Sequence, residues 1–144
     1  MPAKSATFDN DILKLIFNAI PIDRLALNDS SGTHFYVSLH TASPLSNGYQ
    51  TTNEATYGSY QRISVARTTS GWTVLNSSVS PAATITFPAC TGGYESVTHF
   101  AVGTDSTGNG KILYFGSLTP AVLISAGSLT ARLYGTVPVL ALTG

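Results

Sequence analysis

The chain has 144 residues and a mass of 15.0 kDa, which suits one domain better than two. Seven Lys and Arg balance seven Asp and Glu, so no basic footprint for nucleic acid or an acidic membrane surface exists. Only 10% of residues are charged, against roughly 25% in an average soluble domain, and 36 Ser and Thr fill the gap. Near-zero net charge favours association, so the composition suits an assembly, while 43% hydrophobic residues exclude disorder.

The N-terminus MPAKSATFDND lacks the basic-then-apolar layout of a secretory signal. It predicts a protein made in the cytoplasm. Thr7 or Asp9 can cap a helix through DNDILKLIFNAI that ends before Pro21, with Asp9 and Asp11 in its first turn. Ile12, Leu15, Ile16 and Ala19 form one apolar stripe, and Leu13, Phe17 and Ile20 widen it. Two readings stay open: a helix packed on its own domain, or an arm that docks on a neighbouring subunit. A second helical turn over 22–27 precedes the NDSSG turn cluster. Residues 1–31 are thus read as a helical arm and 32–144 as a β domain.

From Gly32 the period changes to two. In HFYVSLH, Phe35, Val37 and Leu39 point one way and His34, Tyr36, Ser38 and His40 the other, which predicts a half-buried strand. Further strands are expected over 60–68, 72–79, 83–87, 96–103, 111–117, 121–124 and 128–133, with a possible ninth over 137–142. Turn signals separate them at Asn47-Gly48, Ser70-Gly71, Gly92-Gly93 and Asn109-Gly110. About eight short strands at this spacing predict an all-β, antiparallel sandwich or jelly roll. The one long insertion, residues 41–59, is rich in Ser, Asn, Gly, Thr and Tyr. Loops of that length are usually functional or disordered. The charge-free stretches 68–94 and 112–131 are too often interrupted by Ser, Thr, Gly and Pro to be membrane spans.

Catalytic and metal constellations are not found. His34 and His40 lie ~20 Å apart along one strand, too far to share an ion, and His99 would have to come from elsewhere in the fold. There is no GxSxG elbow or Cys/His signature. The acids Asp9, Asp11, Asp23, Asp29, Glu54, Glu95 and Asp105 are scattered, with no pair at a glycosidase-like spacing. GTDSTGNGK offers one carboxylate, too few for calcium, and reads instead as a hairpin turn with positive φ at Asn109-Gly110. No enzyme, metal or cofactor is expected. Cys90, the single cysteine, reads as a small buried residue, Trp72 as core, and Arg62 and Arg67 as edge or interface charges. Tyr49, Tyr57 and Tyr60, set among small polar residues of the long loop, are good contact chemistry for proteins or glycans; Tyr57 and Tyr60 could equally close one end of the domain. The candidate interface is therefore Ile12, Leu13, Leu15, Ile16 and Phe17 with Tyr49, Tyr57 and Tyr60.

The segments DILKLIFNA, FYVSLHTASP, QTTNEATYGSYQRISVART, GWTV, SPAATITFPACTGG and ESVTHFAVGTDSTGNGKILYFGSL resemble a family of small tailed-bacteriophage virion structural proteins, often described as tail-fibre or structural proteins. The likeness covers most of the chain and thins after about Ser128. In size and expected fold the chain also resembles the jelly-roll cement proteins that decorate phage heads. That resemblance implies a decoration protein on the head surface, bridging major capsid protein subunits and contacting further copies of itself, with no nucleic acid or membrane partner. The alternative it implies is a tail, fibre or baseplate structural protein, with receptor or glycan contact.

Overall fold

The structure, a computed structural model, describes residues 5–22, 24–28, 31–45 and 48–126, and the backbone of 132–133 and 140–141. Asp23, Asp29 and the Asn47 of the expected Asn47-Gly48 turn lie outside the described residues, as do most of the expected strands over 128–133 and 137–142.

Among the described residues the chain is mainly antiparallel β, with one helix near its start. The helix α1 spans Ala6–Asn18, and nine strands are described: β1 His34–His40, β2 Ile63–Ala66, β3 Trp72–Leu75, β4 Ser78–Pro81, β5 Ile85–Thr86, β6 Tyr94–Gly103, β7 Ile112–Ser125, β8 Arg132–Leu133 and β9 Leu140–Ala141. They form a four-stranded sheet β2-β1-β6-β7, a three-stranded sheet β3-β4-β9 and a two-stranded sheet β5-β8. No described helix is long and apolar enough to cross a membrane. The chain makes two compact units: Met1–His34 with Val65–Thr84 and Tyr134–Gly144, and Phe35–Ser64 with Ile85–Leu133.

In the first unit, the expected cap at Thr7 or Asp9 gives way to Ser5, whose hydroxyl accepts from the Phe8 amide at 3.2 Å. Ser is a preferred N-cap because its side chain satisfies an otherwise orphaned amide. The helix ends at Ala19, which turns left-handed at φ 57°. The Pro21 ring disfavours helical geometry at Ile20, so the turn must break before it. The buried stripe is Asp9, Leu13 and Phe17, while Ile12, Leu15 and Ile16 are half-buried. Phe17 meets Trp72 edge to face at 4.9 Å. Asn18 donates to the Trp72 carbonyl and Asn10 accepts from the Ser77 amide, each at 2.9 Å, so both ends of α1 are tied to the β3–β4 hairpin. No basic residue sits in the last helical turn. Arg67 serves instead: its guanidinium donates to the Ile16 carbonyl at 2.7 Å, and also to those of Leu15 and Gly32. A cation on the last carbonyls complements the helix dipole, so Arg67 is an internal clamp and not an edge charge.

The helical turn expected over 22–27 is instead a tight turn closed by an Ile22–Ala26 bridge. Arg24, at φ 60°, is incompatible with a right-handed helix there.

The single strand expected over 72–79 is two strands. Asn76 and Ser77 both have positive φ, 52° and 57°, and Leu75 pairs with Ser78. This is the two-residue I′ hairpin whose twist matches the flanking strands. Ser is strained there, whereas glycine is not. Ser77→Gly should therefore raise stability by up to ~1 kcal/mol, read as a higher denaturant midpoint with an unchanged slope.

In the second unit, β6 and β7 make the longest ladder. Sequence punctuation at Pro120 separates two strands, but the structure runs one through it. Val97 pairs with Val122 and His99 with Ser117, so residues 118–121 bulge out opposite Thr98. Proline donates no ladder hydrogen bond and is tolerated at a bulge. Strand β1 is not half-buried as its alternation suggests. Ser38 and His40, on its expected outer face, are fully buried; the loop over 41–59 returns to the end of β1, where its Thr52 carbonyl meets the His40 ring.

Candidate functional site

The loop over 41–59 returns to β1 through two main-chain bonds, from Thr41 to the Asn53 carbonyl at 2.9 Å and from Ala55 to the Leu39 carbonyl at 2.8 Å. A His40–Glu54 bridge lies between them. Gln50, Pro44, Ala55 and Tyr57 of the loop are buried.

Glu54 and Arg62 form the central contact. The Arg62 Nε is 2.7 Å from one Glu54 oxygen and its Nη2 2.8 Å from the other. Arg62 is 8% exposed, and a charge so far from water is stable only with its hydrogen bonds made. Its remaining donors reach the carbonyls of Asp105 at 2.9 Å and Gly108 at 2.8 Å. A buried arginine thus holds the turn between β6 and β7 against the long loop, contrary to its expected place as an edge charge. In that turn positive φ falls at Gly108, not at Asn109-Gly110.

Gln50 makes the second tie. Its amide donates to the Gly110 carbonyl at 2.9 Å, and its side-chain oxygen accepts from the Asp105 amide at 3.0 Å. A Cβ on Gly103 or Gly110 would overlap the Gln50 side chain, so both glycines are there to admit it. Nearby, Glu95 accepts from the Thr56 and Tyr57 amides at 2.9–3.2 Å and anchors the last part of the loop.

The tyrosines separate into two groups. Tyr57 and Tyr60 meet edge to face at 5.3 Å, and Tyr60 stacks on Phe87 at 6.4 Å. The Tyr60 hydroxyl donates to Glu54 at 2.9 Å and accepts from the Leu39 amide, while the Tyr57 hydroxyl donates to the Pro88 carbonyl. Burial pushes the Tyr57 phenol up to about 12 and Tyr60 higher still. Tyr49 stands apart: it is 56% exposed and its backbone bridges to Lys111. Around it Thr51 donates to the Asn109 side chain, and both residues are exposed. Of the expected contact residues in this unit, Tyr49 alone presents most of its side chain to solvent; in the first unit Leu13 and Phe17 are fully buried and Ile12, Leu15 and Ile16 partly so.

His40 lies under the loop, with Nδ1 2.9 Å from the Thr52 carbonyl and Nε2 2.9 Å from the Ser38 hydroxyl. Burial lowers its pKa below the usual histidine value. Cys90 is buried, its thiol directed at the Gly92 carbonyl. Sequence reasoning missed the Glu54–Arg62 pair, Gln50 and the loop-facing role of His40. The available signal was an arginine and a glutamate, eight residues apart, flanking an otherwise uncharged segment.

The long loop and the β6–β7 turn are joined by these hydrogen bonds, with an exposed aromatic, Tyr49, and exposed hydroxyl and amide groups beside them. A family model described as "Podophage GP4 fiber I protein gp80" matches residues 3–136. No curated protein matches the sequence. The match spans nearly the whole chain, which belongs to this fibre protein family of podophages and is a phage virion structural protein.

Proposed function

We propose that this member of the podophage fibre family is a non-catalytic structural component of the tail fibre, working through contacts with further copies of itself or with neighbouring fibre proteins. The observation that carries the reading is the fibre family match over residues 3–136. The low charge content, 10% of residues with zero net charge, supports it, since near-neutral, hydroxyl-rich chains associate with little like-charge repulsion. The exposed Tyr49 with Thr51 and Asn109 is the proposed contact surface in the second unit; the half-buried Ile12, Leu15 and Ile16 are the proposed one on α1. Packing of the sheets as a jelly roll is part of the same proposal.

The capsid decoration reading, with the major capsid protein as partner on the head surface, has less support, because the family description is that of a fibre protein. Immunogold labelling of intact virions separates the two. Gold at the tail fibres, in a few copies per particle, is the expected result. Gold over the head, at copy numbers comparable to the capsid protein, would overturn the fibre reading and restore decoration.

A further inference from the structure

The sheet β2-β1-β6-β7 ends on one side at β7, which has β6 as its one neighbouring strand among the described residues. In the last part of β7 the ladder is regular: Val97 pairs with Val122, Ser96 with Leu123, Glu95 with Ile124 and Tyr94 with Ser125. Opposed residues share a face, so Val97, Val122 and Ile124 lie on one side and Tyr94, Ser96 and Leu123 on the other. The first face is buried at Val97 and Ile124. The second is open to water, and an open face of an antiparallel sheet is ordinarily polar. Here it carries Tyr94, 70% exposed, and Leu123, 61% exposed.

A strand edge turns a row of main-chain amides and carbonyls outward, and the group that matches such a row is another extended strand. Natural edges are blunted by charges, bulges and proline. On β7 the bulge over 118–121 with Pro120 does this before Val122. The run Val122–Ser125 after it has neither charge nor proline, and no charged residue lies anywhere in 112–131. The same edge of two copies can therefore meet without like charges opposed. A two-fold axis normal to the sheet sets a strand antiparallel to itself. Opposed residues must come from the same face, so the axis falls on a residue and not between two. Placed on Leu123, it opposes that leucine to its own copy and Val122 to Ile124. The Val122–Ile124 pairs continue the buried face, and the two leucines cover each other on the open one. The run is thus self-complementary, which an isologous contact requires.

We propose that the β7 edge is a self-association site, at which Val122–Ser125 pairs antiparallel with the same run of a second copy about a two-fold on Leu123. The inference rests on the fibre reading above and adds a contact beyond the Tyr49 surface. The run is short, so a free pair is weakly held, and repetition along an assembly strengthens it.

Sedimentation velocity of the whole chain should show a dimer whose share rises with concentration. Leu123→Lys sets two cations opposite each other and should weaken dimerisation about tenfold or more. Its unfolding midpoint at low concentration should stay that of the wild type, because the side chain stands mostly in solvent. Leu123→Glu should behave alike, and an equimolar mixture of the two variants should recover the dimer through opposite charges across the axis. Leu25→Lys, at a 72% exposed position of the first unit, should leave the dimer intact. A wild type still monomeric at ~1 mM overturns the proposal, as does a mixture that does not recover. Association that persists in Leu123→Lys overturns the strand pairing alone; the fibre reading then stands or falls by the immunogold result. If Leu123→Lys does not fold, amide exchange of the wild type decides. Alternate amides of Val122–Ser125 should gain protection with concentration while those of the β1–β6 ladder do not, and an exchange independent of concentration overturns the pairing.

Discussion

Replacing Arg62 by methionine should lower the stability of the fold by about 3–5 kcal/mol, the scale seen when one partner of a buried ion pair is removed. The side chains of Arg62 and Glu54 are 3% and 14% exposed, so the remaining carboxylate would be left without its counter-ion and largely without water. Methionine keeps most of the volume, so the loss would report charge and hydrogen bonding and not a cavity. The carbonyls of Asp105 and Gly108 lose their donor in the same variant, and the β6–β7 turn should loosen with the loop. Adding Glu54→Gln removes the stranded charge, and the double variant should be more stable than Arg62→Met alone. Chemical denaturation of the wild type, both single variants and the double variant gives the coupling directly. A single variant within ~0.5 kcal/mol of wild type would mean that the pair is an ordinary surface contact, of the kind worth ~0–1 kcal/mol.

The places where sequence reasoning succeeded and failed divide along physical lines. Strand β1 was legible because Phe35, Val37 and Leu39 alternate with polar residues, and a period of two has one simple structural meaning. That period could not show that Ser38 and His40 are buried, since their partners, the Thr52 carbonyl of the loop and the Ala101 carbonyl of β6, come from segments distant in sequence. The β3–β4 hairpin was hidden because Asn76-Ser77 lacks the glycine that usually marks a I′ turn. Pro120 was visible, but a proline signals a lost donor and not whether the chain stops or bulges. Arg62 and Arg67 looked alike as single charges near one strand. What distinguishes them is which carbonyls the fold places within reach, those of the β6–β7 turn for Arg62 and those of the C-terminal end of α1 for Arg67. Of the tyrosines in and beside the long loop, Tyr57 is buried, Tyr60 is half-buried against it and Tyr49 faces out. Alternation and turn chemistry are local and readable, whereas the satisfaction of a buried polar group is a property of the closed fold.

Phe17→Ala should cost a further ~3–5 kcal/mol in dilute solution, the usual range for emptying a buried phenylalanine site. This result bears on what α1 is for. The sequence permits the helix to be an arm on a neighbour, and in that case truncating its largest apolar residue would weaken assembly while leaving the isolated chain as stable as before. The structure instead seats Phe17, with no exposed surface, edge-on to Trp72 of the same unit. Asn10, Asn18 and Arg67 hold the helix on both sides of that contact. The β3–β4 hairpin on which α1 rests is short, so the loss should be cooperative and should take Trp72 out of its buried site. Tryptophan fluorescence would follow it, since Trp72 is the sole tryptophan. Unfolding at low protein concentration, where association contributes nothing, isolates the intramolecular part. Ile12→Ala, at a half-buried position on the neighbouring stripe, is the comparison: it should move the midpoint far less. If Phe17→Ala left the dilute midpoint unchanged, α1 would belong to an intermolecular contact and its seat on Trp72 would carry no stability. If it shifts the midpoint as expected, any contact that α1 makes in the virion must use its other stripe, Ile12, Leu15 and Ile16.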